Sequence, residues 1–110
     1  MKGKIVLVPF PFTDLTASKL RPALVLHAGG DDVVLAFISS RIPVGKVPTA
    51  SVVLDRSHPD FDMSGLKTSS VIRLDKVATV LSSLIVGELG VAGSQVCETV
   101  NRVVSEVYRL

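Results

Sequence analysis

The sequence predicts a mostly β chain with one C-terminal α-helix, its short strands forming a strongly bent sheet that closes into a small partial barrel. Three observations predict it. Short apolar runs recur along the chain, each bounded by glycine, proline or polar turn formers. Only the closing stretch carries a helical period. A length of 110 residues, without internal repeat or low-complexity segment, makes one domain spanning 1–110.

Lys4 to Val8 reads as a strand, apolar enough to be buried on both faces. Pro9-Phe10-Pro11-Phe12 follows as a fixed elbow, because neither proline suits a central strand. Thr13 to Lys19 is a connecting loop, and Pro22 to His27 is the second strand with Arg21 at its mouth. The cluster Ala28-Gly29-Gly30-Asp31-Asp32 turns the chain into a third strand, Val33 to Ile38. Pro43 to Pro48 is a bend, Ala50 to Leu54 a fourth strand, and Asp55 to Gly65 a loop. Ser69 to Leu74 is a fifth strand that continues as Val77 to Val80 after a kink near Asp75-Lys76. Leu81 to Leu84 makes a tight turn and Ile85 to Leu89 a short last strand. Beyond the break at Gly90 to Gly93, Ser94 is placed to cap a helix. Val96, Val100, Val103, Val104 and Val107 recur on one face of a 3.6-residue period. Valine is a poor helix former, so packing must hold this helix.

The apolar fraction is 47% and the mean hydropathy +0.50. Both are high for so small a body, and the surplus suggests an oligomer interface. A formal charge of +2 permits a polyanionic partner without demanding one. The single cysteine, Cys97, excludes an internal disulfide and gives no metal set; it reads as a small packed residue. The N-terminal run is broken by prolines, so a signal peptide is not expected, and no apolar run reaches membrane-spanning length. A cytoplasmic protein without cofactor is the expectation.

A few residues stand out chemically. Arg21 precedes Pro22, which holds its backbone extended and aims a planar fork of donors suited to phosphate. Taken alone, it reads more simply as a surface arginine paired with Asp14 or another acid. Ser39 and Ser40 end the third strand, where hydroxyls can donate to a phosphate oxygen; the plainer reading is a polar turn. Arg73 and Asp75 are two apart on a strand and point the same way, with Ile72 and Leu74 inward. They form either a site pair or a surface ion pair worth ~0.5 kcal/mol. The neighbouring cation makes Asp75 a stable anion rather than a poised base. Lys19, Arg21, Arg41 and Lys46 lie near strand ends and would make a phosphate-tracking groove if clustered, or ordinary solvated charge if not. His27 and His58 are not spaced as an acid–base pair, and each reads as packed or surface. With no tryptophan and one tyrosine, Tyr108, base stacking would fall to Phe10, Phe12, Phe37 or Phe61. Phe37 reads better as core, and Phe10 with Phe12 as elbow packing or a dimer contact.

Gly3, the strand Ile5 to Val8, the proline-rich elbow, Arg21-Pro22, the Val71-Ile72-Arg73-Leu74-Asp75-Lys76 strand and the closing amphipathic helix occur here in order. Together they resemble the MazF/PemK family, the toxin half of bacterial toxin–antitoxin pairs. The resemblance implies an SH3-like barrel with the helix laid against it. It also implies a sequence-specific endoribonuclease that cleaves single-stranded mRNA without metal, a cognate antitoxin as partner, and a homodimer. Arg21 falls on the family's catalytic arginine and Ser39 on an active-site hydroxyl, here serine instead of the commoner threonine. Arg73 and Asp75 match a pair that some PemK-type members use at the active site. Lys19, Ser40, Arg41 and Lys46 become candidate RNA-binding residues. The chain departs from relatives that place a histidine before the Arg-Pro motif, since Thr16 to Leu20 has none and is short. A catalytically inactive SH3-like binding module and a gyrase-directed toxin on the same fold remain open alternatives.

Overall fold

A computed structural model describes residues 1–10, 19–42, 45 and 49–110. Six strands, β1 (Lys4–Phe10), β2 (Lys19–Gly29), β3 (Asp32–Ser39), β4 (Ser51–Leu54), β5 (Ser70–Leu81) and β6 (Gly87–Val91), form one sheet in the order β4-β5-β3-β2-β1-β6. Every pairing is antiparallel. A one-turn helix α1 (Phe61–Ser64) precedes β5, a 3₁₀ turn (Ser82–Leu84) follows it, and α2 (Ser94–Val107) closes the chain. The sheet curls into a half-barrel, as the strand pattern predicts. Among the described residues no helix is long and apolar enough to cross a membrane.

Strand alternation sends side chains to two faces. One face packs Ile5, Leu24, Ala36, Ile38, Ile72 and Leu74 against Val96, Val100 and Val103 of α2. The other holds Val6, Val8, Ala23, Val25, Val33 and Leu35, with Phe37, Val80 and Ile85 packed beside them. The first strand is therefore buried on both sides, as its apolar run requires. Val104 is only partly buried and Val107 is exposed, so the helical stripe is narrower than the valine spacing suggests.

Both strand boundaries around the elbow differ from expectation. Pro9 belongs to β1 and sits opposite Leu20. Leu7 offers its carbonyl to the Val86 N–H on the β6 side, and Pro9, two residues on, points its missing donor to that side. The β1–β6 ladder has already ended there, at Leu7↔Gly87, so no hydrogen bond is lost. Pro22 also lies inside a strand, opposite Leu7, and its donorless side faces β3. The β2–β3 ladder stops one residue earlier, at Ala23↔Phe37. Pro22 thus ends the pairing of two central strands and lets their ends part. Pro11, Phe12, Asp14 and the rest of that loop lie outside the described residues, as do Pro43, Lys46 and Pro48.

The kink in the fifth strand is real. Phe37 pairs with Arg73 and Ala36 with Val77, leaving Leu74, Asp75 and Lys76 without β3 partners. This wide bulge bends β5 sharply. The Leu74 backbone is still satisfied: its N–H donates to the Ala50 carbonyl at 2.8 Å, and the Tyr108 hydroxyl donates to its carbonyl.

Ser94 does not cap α2. It is the first helical residue, Gly93 is the cap, and no side chain of that cap bonds the helix. The donor is met from far away in sequence: Asp60, 6% exposed, accepts the Val96 N–H at 2.9 Å. A Cβ on Gly93 would run into the Asp60 carboxylate, so this close approach needs glycine.

Candidate active site

Where β2 begins and β3 ends, the parted strands open a hollow of about 260 Å³ lined by Phe10, Arg21, Phe37, Ile38, Ser39, Ser40, Arg41, Arg73 and Lys76. The sheet register explains the company. Arg21 stands opposite Val8, and Ala23 opposite Phe37. Carrying that second register toward the strand ends sets Arg21 across from Ser39. Arg73 stands opposite Phe37 on the far side of β3. Alternation then puts Phe10, Arg21, Phe37, Ser39 and Arg73 on one face of the sheet, away from α2.

Arg73 and Asp75 form a two-pronged ion pair, Nε to Oδ1 at 2.9 Å and Nη2 to Oδ2 at 2.7 Å. The Asp75 hydrogen bond pushes the Arg73 pKa up, and the Arg73 hydrogen bond holds the Asp75 carboxyl below its ordinary value. Asp75 is therefore an anion that aims Arg73, and the rest of the fork remains for a ligand. Arg21 and Arg41 have no acid partner among the described residues, and Lys76 interacts with Asp75 only through its charge; Asp14, the acid considered for Arg21, lies outside the described residues. Four cations around one hollow, with Asp75 the one acid paired to them among the described residues, concentrate positive potential there on a chain of net charge +2. Ser39 accepts the Arg41 N–H through Oγ at 3.1 Å, which holds the hydroxyl at the strand end and leaves its proton for another acceptor.

Of the residues singled out from sequence, Arg21, Ser39, Ser40, Arg41 and Arg73 line the hollow, and Asp75 serves it through Arg73. Lys19 is exposed on β2 but is not part of the lining, and Lys46 is outside the described residues. Lys76 was missed. Simple alternation sends it to the face opposite Arg73 and Asp75, and only the bulge brings it round. The aromatic pair was missed as well. Phe10 and Phe37 meet with ring centroids 4.9 Å apart, tilted at 56°, and both line the hollow. Neither histidine belongs to it: His58 accepts the Asp60 N–H on Nδ1 at 3.0 Å and shapes the loop that caps α2. Tyr108 is engaged with Leu74, and Cys97 is half-buried, its Sγ 3.5 Å from the Ala92 carbonyl.

A second hollow of about 270 Å³ adjoins the first and shares Arg21, Ile38 and Ser40 with it. Among the described residues no group of His, Cys, Asp and Glu is arranged to hold a metal ion.

Comparison with known proteins bears on the fold and the family. The fold is similar to the Mycobacterium tuberculosis toxin MazF-mt6, with TM-score 0.72, 18% identity, and 97% of each chain covered. It is also similar to a structure described as an endoribonuclease in complex with its cognate antitoxin from a mycobacterial species. There the TM-score is 0.71 at 15% identity, over 100% of this chain and 95% of that one. No curated protein sequence matches the chain. The family model for the PemK-like, MazF-like toxins of type II toxin–antitoxin systems matches residues 1–108. With the curled sheet, the closing helix and the match over nearly its whole length in agreement, this chain belongs to the PemK/MazF toxin family.

Proposed function

We propose that the chain is a sequence-specific endoribonuclease that cuts single-stranded mRNA in the cytoplasm without a bound metal. The observation that carries this reading is the convergence of Arg21, Ser39, Arg41, Arg73 and Lys76 on one open hollow. Its charged lining is cationic, which suits a phosphodiester directly.

The ribose 2′-hydroxyl attacks the adjacent phosphorus and loses its proton. The bond to the 5′-oxygen of the next nucleotide breaks, and that oxygen takes up a proton. The products are a 2′,3′-cyclic phosphate and a 5′-hydroxyl. The pentacoordinate intermediate gains negative charge on its non-bridging oxygens. Arg21, on a strand backbone fixed by Pro22, neutralises that charge; preorganised donors of this kind supply about 10²–10³ in rate. A guanidinium is a slow acid near neutral pH, so charge stabilisation comes before proton donation in its role. Ser39 donates to a phosphate oxygen or orients the attacking hydroxyl. Arg73, held by Asp75, clamps a second phosphate oxygen, and Arg41 and Lys76 track the neighbouring backbone.

A cognate antitoxin restrains this activity, as the pairing that defines the family requires. Two copies of the chain assemble as a dimer; Leu81, 56% exposed, and Val86, 60% exposed, are among the apolar side chains left for such a contact. The test is incubation of a mixed RNA pool with the protein in EDTA, followed by mapping of the ends. Cleavage at a recurring sequence with cyclic phosphate ends is expected. Intact RNA alongside growth arrest would overturn the nuclease reading in favour of another target.

A further inference from the structure

The second hollow meets the first where Arg21, Ile38 and Ser40 line both, and it extends on the α2 side of the sheet, where Leu66 and Leu89 pack against the core that α2 covers. Its walls are Leu7, Pro22, Leu66, Leu89 and buried Ser70, and its rim carries Lys67 and Thr68. It opens because Pro22 ends the β2–β3 ladder, so the same local event creates both hollows.

The rim segment is held from behind. Gly65 ends α1 at φ 73°, and a Cβ there would strike the Leu89 carbonyl, so the segment lies tight against β6. The Leu66 N–H donates to Ser64 Oγ at 3.1 Å, and Arg56 Nη2 donates to the Lys67 carbonyl at 2.8 Å. Ser70 donates its hydroxyl to the Thr68 carbonyl at 2.8 Å. These bonds occupy the backbone of the segment, while the Lys67 ammonium has no partner among the described residues. A cation on a braced backbone beside an apolar slot is a pattern that accepts a flat base with a phosphate at its edge.

We infer that this second hollow is a subsite for the nucleotide next to the scissile phosphate, with Leu66 and Leu89 against the base and Lys67 on the flanking phosphate. The inference rests on the nuclease reading and extends it. Continuity carries it: Arg21, Ile38 and Ser40 are walls of both hollows, so a strand whose phosphate sits at Arg21 reaches the second by turning over the parted ends of β2 and β3. Lys67 is exposed and stands outside the cluster at the strand ends, so its place on the flanking phosphate makes it a substrate-positioning residue rather than a catalytic one.

The experiment compares kcat/KM on oligoribonucleotides lengthened one nucleotide at a time, separately 5′ and 3′ of the cut. Wild-type protein is expected to gain about tenfold when the nucleotide that enters the hollow is added, in one direction only. Lys67→Ala should lose that gain, Lys67→Arg should retain most of it, and Leu66→Trp, which fills the slot, should abolish it. The salt dependence of RNA binding should fall by about one unit of slope in Lys67→Ala. Equal losses for Lys67→Ala at every length, or no length-dependent gain in the wild type, would overturn the subsite while leaving the nuclease reading intact. A changed oligomeric state in the variants with an unaltered length profile would assign the hollow to a second copy of the chain and overturn it too. Absence of cleavage on every RNA would overturn both readings.

Discussion

The two ends of the β3–β5 region handle polar groups in opposite ways. Toward α2, the buried polar side chains Asp60 and Ser64 are committed: Asp60 receives the Val96 N–H, half-buried His58 receives the Asp60 N–H, and Ser64 donates to the Phe61 carbonyl at 2.5 Å. At the mouth of β2, Arg21 and Arg41 stand without an acid among the described residues, and of the four lining cations Arg73 alone forms an ion pair there. The first arrangement is what a stable interior demands, since an unpaired buried polar group costs about 1–3 kcal/mol. The second contributes little to folding and concentrates like charge, which is sensible only where an anion completes it. Pairing inside and vacancy outside are the physical difference between scaffold and site.

The sharpest way to break the contrast is at Arg21. Arg21→Ala should lower RNA cleavage about 10³-fold while chemical denaturation shows stability within ~1 kcal/mol of the wild type. A large stability loss would make Arg21 scaffold after all. Asp60→Ala should do the reverse. It removes a buried cap and strands the Val96 N–H, so it should cost about 2 kcal/mol on denaturation with cleavage per folded molecule unchanged. Between these lies the ion pair. Asp75→Asn leaves the Arg73 fork unaimed and should reduce kcat about tenfold, and adding Arg73→Ala should give less than the sum of the two losses, read from a double-mutant cycle.

The smallest effect concerns pH. The Asp75 carboxyl is held below its ordinary value of 3.8. Its contribution to stability is therefore complete above that value and is lost as pH falls through the depressed folded pKa. Denaturation midpoints of wild type and Asp75→Asn should differ by a constant amount from pH 5 to 8 and converge only below about pH 4. Convergence nearer neutrality would mean that Asp75 titrates as a base and is no fixed anchor.

Much of the fold follows from local signals. The apolar runs, the Gly-Gly turn, the kink at Asp75-Lys76 and the valine period are all written within a few residues of where they act. Arg21 and Ser39 were found through their motif positions, and the register sets them on one face. Lys76 and the Phe10–Phe37 pair escaped because strand alternation fails at a bulge and because a ring contact joins residues from different strands. Asp60 escaped for the same kind of reason: it caps a helix whose N-terminus lies 36 residues away in sequence. Pro22 was misread as the start of a strand, since its effect depends on which neighbour its missing donor faces.

By itself, then, the sequence determined most of the strands, the turns between them and the closing helix, and which side chains have donors suited to phosphate, because backbone propensity and side-chain type are local properties. Only the tertiary structure decided that Pro22 parts two central strands, that a bulge in β5 swings Lys76 beside Arg73, and that Asp60 holds the closing helix. Those outcomes depend on register and on long-range contact, which hydrogen bonding across the sheet sets and no short stretch of chain contains.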